Sequence, residues 1–273
     1  MAKIRSWEVS DEFWKRVEPF IPKRERERGR TFRRKPGGGR KRMSERRVFE
    51  GIVFVLRTGC QWKSLPKERF GSASSVHKYF RQWLKAGVFL ALWRSGLAEY
   101  DEMEGIAWKW QSIDGAMVKA PLAQETTGPN PTDRGKKGKQ APSPRGRPWR
   151  PAIAFRHRAH RHDVTQLAAV LDAVVVTCPQ GTHPFLYADK GYDGESARDQ
   201  IRLHGYTPRV ARKKRRRGRP PKNRRWVVEA AHSWFNRFRK LLVRYEKLSE
   251  SYEALLHLAA TIICWRKVAI IYG

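Results

Sequence analysis

The sequence predicts an α/β fold with a small helical domain in front of it. In the first hundred residues, apolar side chains recur at helical spacing in several segments that polar residues and glycines separate. From about residue 106 onward, strand-like and helical segments alternate, which is typical of an α/β domain. A hydrophobic fraction of 40%, with 11% aromatic residues, is enough to form a core in a chain of 273 residues.

The chain carries a large excess of positive charge. Its 58 Lys and Arg residues outnumber 26 Asp and Glu residues, which gives a formal net charge of +32. Such a charge does not specify a fold, but it indicates a polyanionic partner, and nucleic acid is the commonest polyanion.

Several classes of protein are disfavoured. No apolar run approaches the length of about 18 residues that a membrane-spanning helix needs, and charges near Met1 disfavour a secretion signal. Cys60, Cys178 and Cys264 are odd in number and far apart, so they predict neither a disulfide framework nor a zinc site. We therefore expect a cytoplasmic protein with reduced thiols.

The front part predicts four helices, over residues 10–21, 44–59, 74–87 and 89–97. Ser10 and Ser44 can cap the first two, and Gly59 can end the second. The basic stretch 23–43 predicts a linker or an arm that contacts a nucleic-acid backbone.

The second and third of these helices are compatible with a helix-turn-helix. An ordinary three-helix packing unit fits the same pattern, and the sequence leaves both interpretations open. In the helix-turn-helix interpretation, the outward residues are Ser75, His77, Lys78, Arg81 and Gln82.

In the second half, residues 106–119 predict a strand pair or one long strand, and residues 183–193 predict a short buried strand that meets a turn. Helices are predicted between and after these segments. The predicted helices cover 163–176, 193–204, 225–242 and 251–267, and a basic loop begins at Thr207.

Three carboxylates stand out because acidic residues are scarce. Asp114 lies inside a strand-like segment, Asp189 follows the apolar run 185–188, and Glu229 lies in a predicted helix. Three converging carboxylates suit Mg²⁺, and two such ions can assist phosphodiester displacement. Structural roles are the alternative: Asp114 would cap a turn, and the other two acids would pair with basic neighbours such as Lys190 and Arg225.

Eight motifs, in their order along the chain, resemble bacterial insertion-sequence transposases of the DDE type. They are SDEFWKRVEPFIP, FEGIVFVLRTGCQWKSLP, SSVHKYFRQWLKAGVF, SIDGAMVKA, DRGKKG, HRHDVTQL, YADKGYD and RWVVEAAHSWFNRFRKLLVRYEK. The resemblance covers about residues 7–268. It implies an RNase-H-like mixed sheet with flanking helices, preceded by a small all-α domain that is helix-turn-helix-like.

The resemblance also implies a site and a reaction. Asp114, Asp189 and Glu229 would be the catalytic residues and would hold Mg²⁺ or Mn²⁺, as two ions. Water would cleave a phosphodiester at the end of the element, and the freed 3′-hydroxyl would attack target DNA. The implied partners are double-stranded DNA, as terminal inverted repeats and as target, and a second copy of the chain.

The family signature around the Glu usually has a Tyr seven residues before it and a Lys seven after it. Here those positions hold Lys222 and Asn236. A second DNA-contacting motif, Arg-Gly-Arg-Pro at 217–220, resembles an AT-hook, although a general phosphate-binding loop is the interpretation we favour. The residues expected to contact DNA are Lys78, Arg81, Lys190, Arg217, Arg219, Arg225 and Arg237.

The expected organisation is a helical DNA-binding domain over 1–100 and a catalytic domain over 101–273. The segment 140–158 departs from the family, because a strand pair is expected there and its four prolines disfavour a ladder. One codon choice for 140–151, translated one base later, encodes KRHLLVDGRGVP, a strand–turn–strand. We therefore suspect a shifted reading frame over 140–158.

Two alternatives to an active transposase follow. A damaged strand pair would leave a relic that only binds DNA, and an RNase-H-like nuclease acting on DNA junctions fits the three acids but not the helical front domain.

The frameshift hypothesis predicts that the gene, translated one base later over codons 140–158, encodes an apolar strand pair. The nucleotide sequence of the gene tests this directly. An alternate frame without such a pair would rule the hypothesis out.

Overall fold

The computed structural model places a helical body beside a mixed β-sheet. It describes residues 7–23, 31, 41–104, 106, 111–122, 128–129, 137–146, 150–151, 157–158, 167–176, 178–210 and 233–272. Most of the basic stretch 23–43 and the arginines 217, 219 and 225 lie outside these residues.

Five helices are described in the front of the chain. They are α1 (Asp11–Val17, continued by a 3₁₀ turn over Glu18–Phe20), α2 (Glu45–Thr58), α3 (Lys67–Phe70), α4 (Ala73–Lys85) and α5 (Val88–Glu104). The Ser10 hydroxyl accepts a hydrogen bond from the backbone N–H of Phe13 at 3.2 Å, so this predicted cap is confirmed. Gly59 ends α2 at φ 73°, a left-handed conformation that suits glycine. Ser44 precedes α2 without a side-chain capping bond.

The sheet has the strand order β2-β3-β1-β6-β7. Its principal strands are β1 (Gln111–Lys119), β3 (Lys137–Gly146), β6 (Phe185–Ala188) and β7 (Thr207–Val210). β1 pairs with β3 in antiparallel orientation and with β6 in parallel orientation, and β6 pairs with β7 in parallel orientation. The mixed sheet after a helical part confirms the predicted fold class.

Three two-residue strands pair with the outer edge of β3. They are β2 (Gly128–Pro129), β4 (Arg150–Pro151) and β5 (His157–Arg158). Among the described residues, positions 141–144 of β3 have no ladder partner on this edge.

The segment suspected of a frame shift therefore differs from our expectation. Its prolines do not prevent a strand, because Pro142 and Pro144 hold ladder positions opposite Gly115 and Ile113 of β1. The two prolines are two residues apart, so their missing N–H donors fall on the same edge of β3. Both prolines lie within the stretch 141–144, for which no ladder partner is described on the outer edge.

Two helices cover the described sheet. They are α6 (Leu167–Asp172) and α7 (Glu195–Leu203). Their apolar faces share one buried cluster with the strands, formed by Ile113, Leu167, Val170, Leu171, Leu186, Tyr192, Ala197 and Ile201. This cluster holds the ends of β1 and β6 next to each other.

The last two helices join the front of the chain. They are α8 (Arg239–Leu242) and α9 (Ser249–Tyr272). Leu255 and Leu258 of α9 are fully buried in one cluster with Val48 and Phe49 of α2 and Phe80 of α4. The helical body thus contains residues from both sides of the expected boundary at residue 100, and that boundary stays a prediction.

Two expectations are wrong. Residues 207–210 form β7 rather than the start of a loop, because they continue the parallel sheet next to β6. The helix predicted over 225–242 is interrupted at Phe238. The backbone of Phe238 is not helical, with φ −102° and ψ 89°, and α8 begins after it. The break allows the Phe238 ring to be 99% buried beneath Arg57.

Among the described helices, none combines the length and the apolar character needed to cross a membrane.

The shared core predicts that truncation within α9 destabilises the front helices. Leu258→Ala should lower the free energy of unfolding by about 3 kcal/mol, since Leu258 is fully buried and a cavity would remain. Leu203→Ala is the matched control, because this leucine of α7 is 83% exposed and its loss should change stability by less than about 0.5 kcal/mol. Urea unfolding followed by circular dichroism measures both, and equal losses would contradict the shared core.

Candidate catalytic site and DNA interface

The parallel pairing of β1 with β6 aligns two of the predicted acids. Gln111 lies opposite Leu186, and Ser112 lies opposite Tyr187. Two positions further along both strands are Asp114 in β1 and Asp189 directly after β6. Neighbouring parallel strands carry side chains of aligned positions on the same face. The register thus places these two positions side by side on neighbouring strands, although 75 positions separate them in the chain (189 − 114).

The Asp189 carboxylate is held by the turn that follows β6. Its Oδ1 accepts a hydrogen bond from the backbone N–H of Gly191 at 2.7 Å, and a 3₁₀ turn runs over Lys190–Tyr192. A Cβ on Gly191 would lie 2.8 Å from that Oδ1, which is closer than real Cβ contacts. Glycine at 191 therefore permits this orientation of the carboxylate.

The other two acids are described less fully. The structure describes the backbone of Asp114 within β1, and Glu229 lies outside the described residues. Within the described part of the chain, no group of three or more His, Cys, Asp and Glu side chains is placed to hold a metal. The convergence of all three acids stays a prediction.

The residues predicted to contact DNA differ in their surroundings. Lys78, Lys190 and Arg237 are exposed. Arg81 is half-buried instead, donating to the Ser251 hydroxyl at 2.8 Å and forming an ion pair with Glu250 at 2.8 Å. Arg81 thus ties α4 to α9, and its contact with DNA stays a prediction.

The face of α4 that a helix-turn-helix would present to DNA is only partly exposed to solvent. Gln82 is exposed like Lys78, but His77 is half-buried, with its ring 4.9 Å from the Trp62 ring. Burial lowers the pKa of His77 below its usual value, which favours the neutral imidazole. His77 therefore serves packing in this structure.

A charged cluster that the sequence analysis missed lies where α8 meets the end of α2. Lys240 is 5% exposed, and its Nζ lies 3.2 Å from Oε1 of Glu246. The same Oε1 accepts a hydrogen bond from Nε1 of Trp62 at 3.2 Å, and Lys240 also donates to the backbone carbonyl of Cys60 at 3.4 Å. The sequence feature that could have predicted this buried pair is a Lys between the apolar residues at 238 and 241.

Two parts of the chain match known families. Residues 9–93 match the family described as "Putative transposase of IS4/5 family", and residues 186–266 match "Transposase DDE domain". A relative from Burkholderia cepacia, "Putative transposase for insertion sequence element IS402", is 36% identical over 144 residues, which cover 51% of this chain and 68% of the relative. The chain belongs to the insertion-sequence transposases.

A second relative and a solved structure are also similar to this transposase. "Insertion element IS402 uncharacterized 16.2 kDa protein" of Burkholderia cepacia is 32% identical over 124 residues, covering 45% of this chain and 80% of the relative. A chain of a pre-cleavage Mos1 transpososome has 10% identity and a TM-score of 0.29, covering 94% of this chain and 86% of its own. This structural similarity is too low to carry an argument.

The family membership confirms the predicted function and reaction class. The chain is a DDE transposase. Enzymes with this domain depend on divalent metal ions in general. The matched region 186–266 begins within β6 and contains Asp189 and Glu229.

The contact between Gly191 and Asp189 yields a prediction for activity. Gly191→Ala should lower DNA cleavage by about 10- to 100-fold, because the new Cβ displaces the Asp189 carboxylate. Stability should change by less than about 1 kcal/mol, since the end of a flexible side chain can move.

Gly194→Ala is the matched control, because a Cβ there would meet nothing within 4 Å. Cleavage rates and melting temperatures of the two variants show whether Gly191→Ala affects catalysis without affecting stability. Unchanged cleavage in Gly191→Ala would show that the orientation of Asp189 is unimportant.

Proposed function

We propose that this transposase cleaves the ends of its own element and joins the freed 3′-hydroxyl to target DNA. The observation that carries the proposal is the register of β1 with β6, which supports neighbouring positions for Asp114 and Asp189 in the sheet. Glu229 is proposed as the third acid, within the region that matches the DDE domain.

The donor set fits a hard divalent cation. Carboxylate oxygens are the ligands that Mg²⁺ and Mn²⁺ prefer, and the half-exposed Asp189 carboxylate adjoins the end of a strand. Asp114, Asp189 and Glu229 would hold Mg²⁺ or Mn²⁺, in our proposal two ions. When bound, such ions activate the attacking oxygen and stabilise the leaving oxygen of a phosphodiester.

The chain's own residues position the substrate. The Gly191 N–H fixes Oδ1 of Asp189, which limits the ways in which the carboxylate can face the site. Lys190 is exposed directly beside Asp189, so its ammonium is available to a DNA phosphate close to the cleaved bond. Arg225 and Arg237 are proposed to contact phosphates on either side of the Glu229 segment, and Arg217 and Arg219 to do so in the preceding basic stretch.

The proposed partners are the terminal inverted repeats, target DNA and a second copy of the chain. Residues 1–100, with Lys78 and Arg81, are proposed to bind the repeats, and residues 101–273 to carry out the chemistry. We propose that the protein works in the cytoplasm, on the bacterial nucleoid.

The decisive experiment is a nicking assay on a labelled end of the element with Mg²⁺ or Mn²⁺. The wild-type protein should nick the terminus, and Asp189→Ala should abolish nicking while DNA binding stays within about threefold, since only one carboxylate is lost. Glu195→Ala, an exposed acid on α7, is the control and should cleave normally. If Asp189→Ala cleaved DNA as fast as the wild type, the assignment of Asp189 to the catalytic site would be wrong.

A relic that only binds DNA is the second candidate, and the interrupted outer edge of β3 favours it. Positions 141–144 lack a described partner there because the sequence places two prolines in the strand. Specific DNA binding without nicking, in a sample shown to be folded, would support the relic and direct attention to the reading frame over 140–158.

A further inference from the structure

Arg57 is a buried charged side chain whose donors are not satisfied. It lies in the last turn of α2 and is only 6% exposed. Its Nε and Nη2 atoms are buried and have no hydrogen-bond partner among the described residues. A buried charge without partners is costly, because it has lost its hydration and gained no hydrogen bonds in return.

The contacts that Arg57 does make compensate only part of this cost. Its guanidinium lies 3.9 Å from the centroid of the Phe238 ring, a cation–π contact. The carbonyl groups at the end of α2 also favour a positive charge. Neither contact occupies the in-plane N–H donors of a guanidinium, which suit the oxygens of a phosphate or carboxylate.

The surroundings of Arg57 are tightly packed and positively charged. The end of α2 contacts the start of α8 so closely that a Cβ on Gly59 would lie 2.9 Å from the Cβ of Arg239. This contact fixes Arg57 beside Phe238 and therefore beside the exposed Arg237 that precedes it in the chain.

The end of α9 approaches the same place. Nζ of Lys267 lies 4.4 Å from the centroid of the Trp234 ring, so this end of α9 lies next to the residues before α8. The exposed Arg266 precedes Lys267 in α9. Burial first, and then the like charges of Arg266 and Arg237, lower the pKa of Arg57 to about 9. The charges that act on Arg57 thus include two further arginines, one in the residues before α8 and one on α9.

We propose that Arg57, Arg237 and Arg266 form a phosphate-binding site for the DNA backbone, with Arg57 as its buried base. Because Nε and Nη2 of Arg57 are buried, the phosphate would meet the exposed Arg237 and Arg266 first. The Arg57 side chain would then shift so that these two atoms donate to a phosphate oxygen. The proposal deepens the proposed function, on which it rests for the identity of the ligand. It assigns to the front helix α2 a contact with DNA next to the segment that follows Glu229.

Two probes test the site separately from the cleavage chemistry. The first is inorganic phosphate, measured as the shift in melting temperature relative to chloride at equal ionic strength. The second is an end of the element, measured as the dependence of its binding constant on salt concentration. The catalytic assignment has its own test, the nicking assay with Asp189→Ala, so failure of one proposal is distinguishable from failure of the other.

Arg57→Met should remove the stabilisation by phosphate. It should also weaken DNA binding about tenfold and reduce the slope of log K against log[salt] by about 1, as the loss of one phosphate contact requires. Without ligand, its melting temperature should equal or exceed that of the wild type, because an unpaired buried charge is replaced by an apolar side chain. A role in packing alone predicts the opposite: lower stability with an unchanged salt slope.

Arg266→Gln keeps the test decisive if Arg57→Met does not fold, because Arg266 is exposed. It should likewise reduce the salt slope and the effect of phosphate. Arg202→Gln is the control with the same loss of charge, since Arg202 is exposed on α7, away from α2, α8 and α9. The proposal is wrong if Arg57→Met and Arg266→Gln both keep the phosphate stabilisation and the salt slope of the wild type. If only one of the two variants folds, the same result in that variant overturns the proposal.

Discussion

The structure depends on burying one apolar surface that residues from distant parts of the chain complete together. Helix α9 contributes Leu255 and Leu258 to the cluster that contains Val48 and Phe49 of α2. Apolar burial of this kind is the main favourable term in folding. Because α9 is fixed in that core, the residues just before it are fixed as well, and these follow the segment that carries Glu229.

Charged side chains then set the geometry where the end of α2 meets α8. Lys240 and Glu246 form a nearly buried pair that also engages Trp62, and Arg244 is fully buried with hydrogen bonds to the backbone carbonyl of Glu246 and the hydroxyl of Ser249. Buried pairs with satisfied hydrogen bonds contribute orientation more than stability. The helical part that matches the IS4/5 family and the part that matches the DDE domain are therefore joined by directional contacts as well as by an apolar core.

The sequence predicted local features well and long-range ones poorly. The Ser10 cap and the Gly59 stop follow from local chemistry, and the structure confirms both. The break at Phe238 and the unpartnered Arg57 arise from contacts between residues about 180 positions apart, which periodicity cannot reveal. Asp114 and Asp189 were identified as acids in unusual places, but their alignment depends on the pairing of β1 with β6.

The shared core also has a consequence for synthesis. Translation produces α2, α4 and α5 long before α9, so the front helices leave the ribosome with part of their apolar surface uncovered. Exposed apolar surface of this kind attracts chaperones and proteases. A product of premature termination before Ser249 would therefore be degraded rather than compete with the complete protein for DNA.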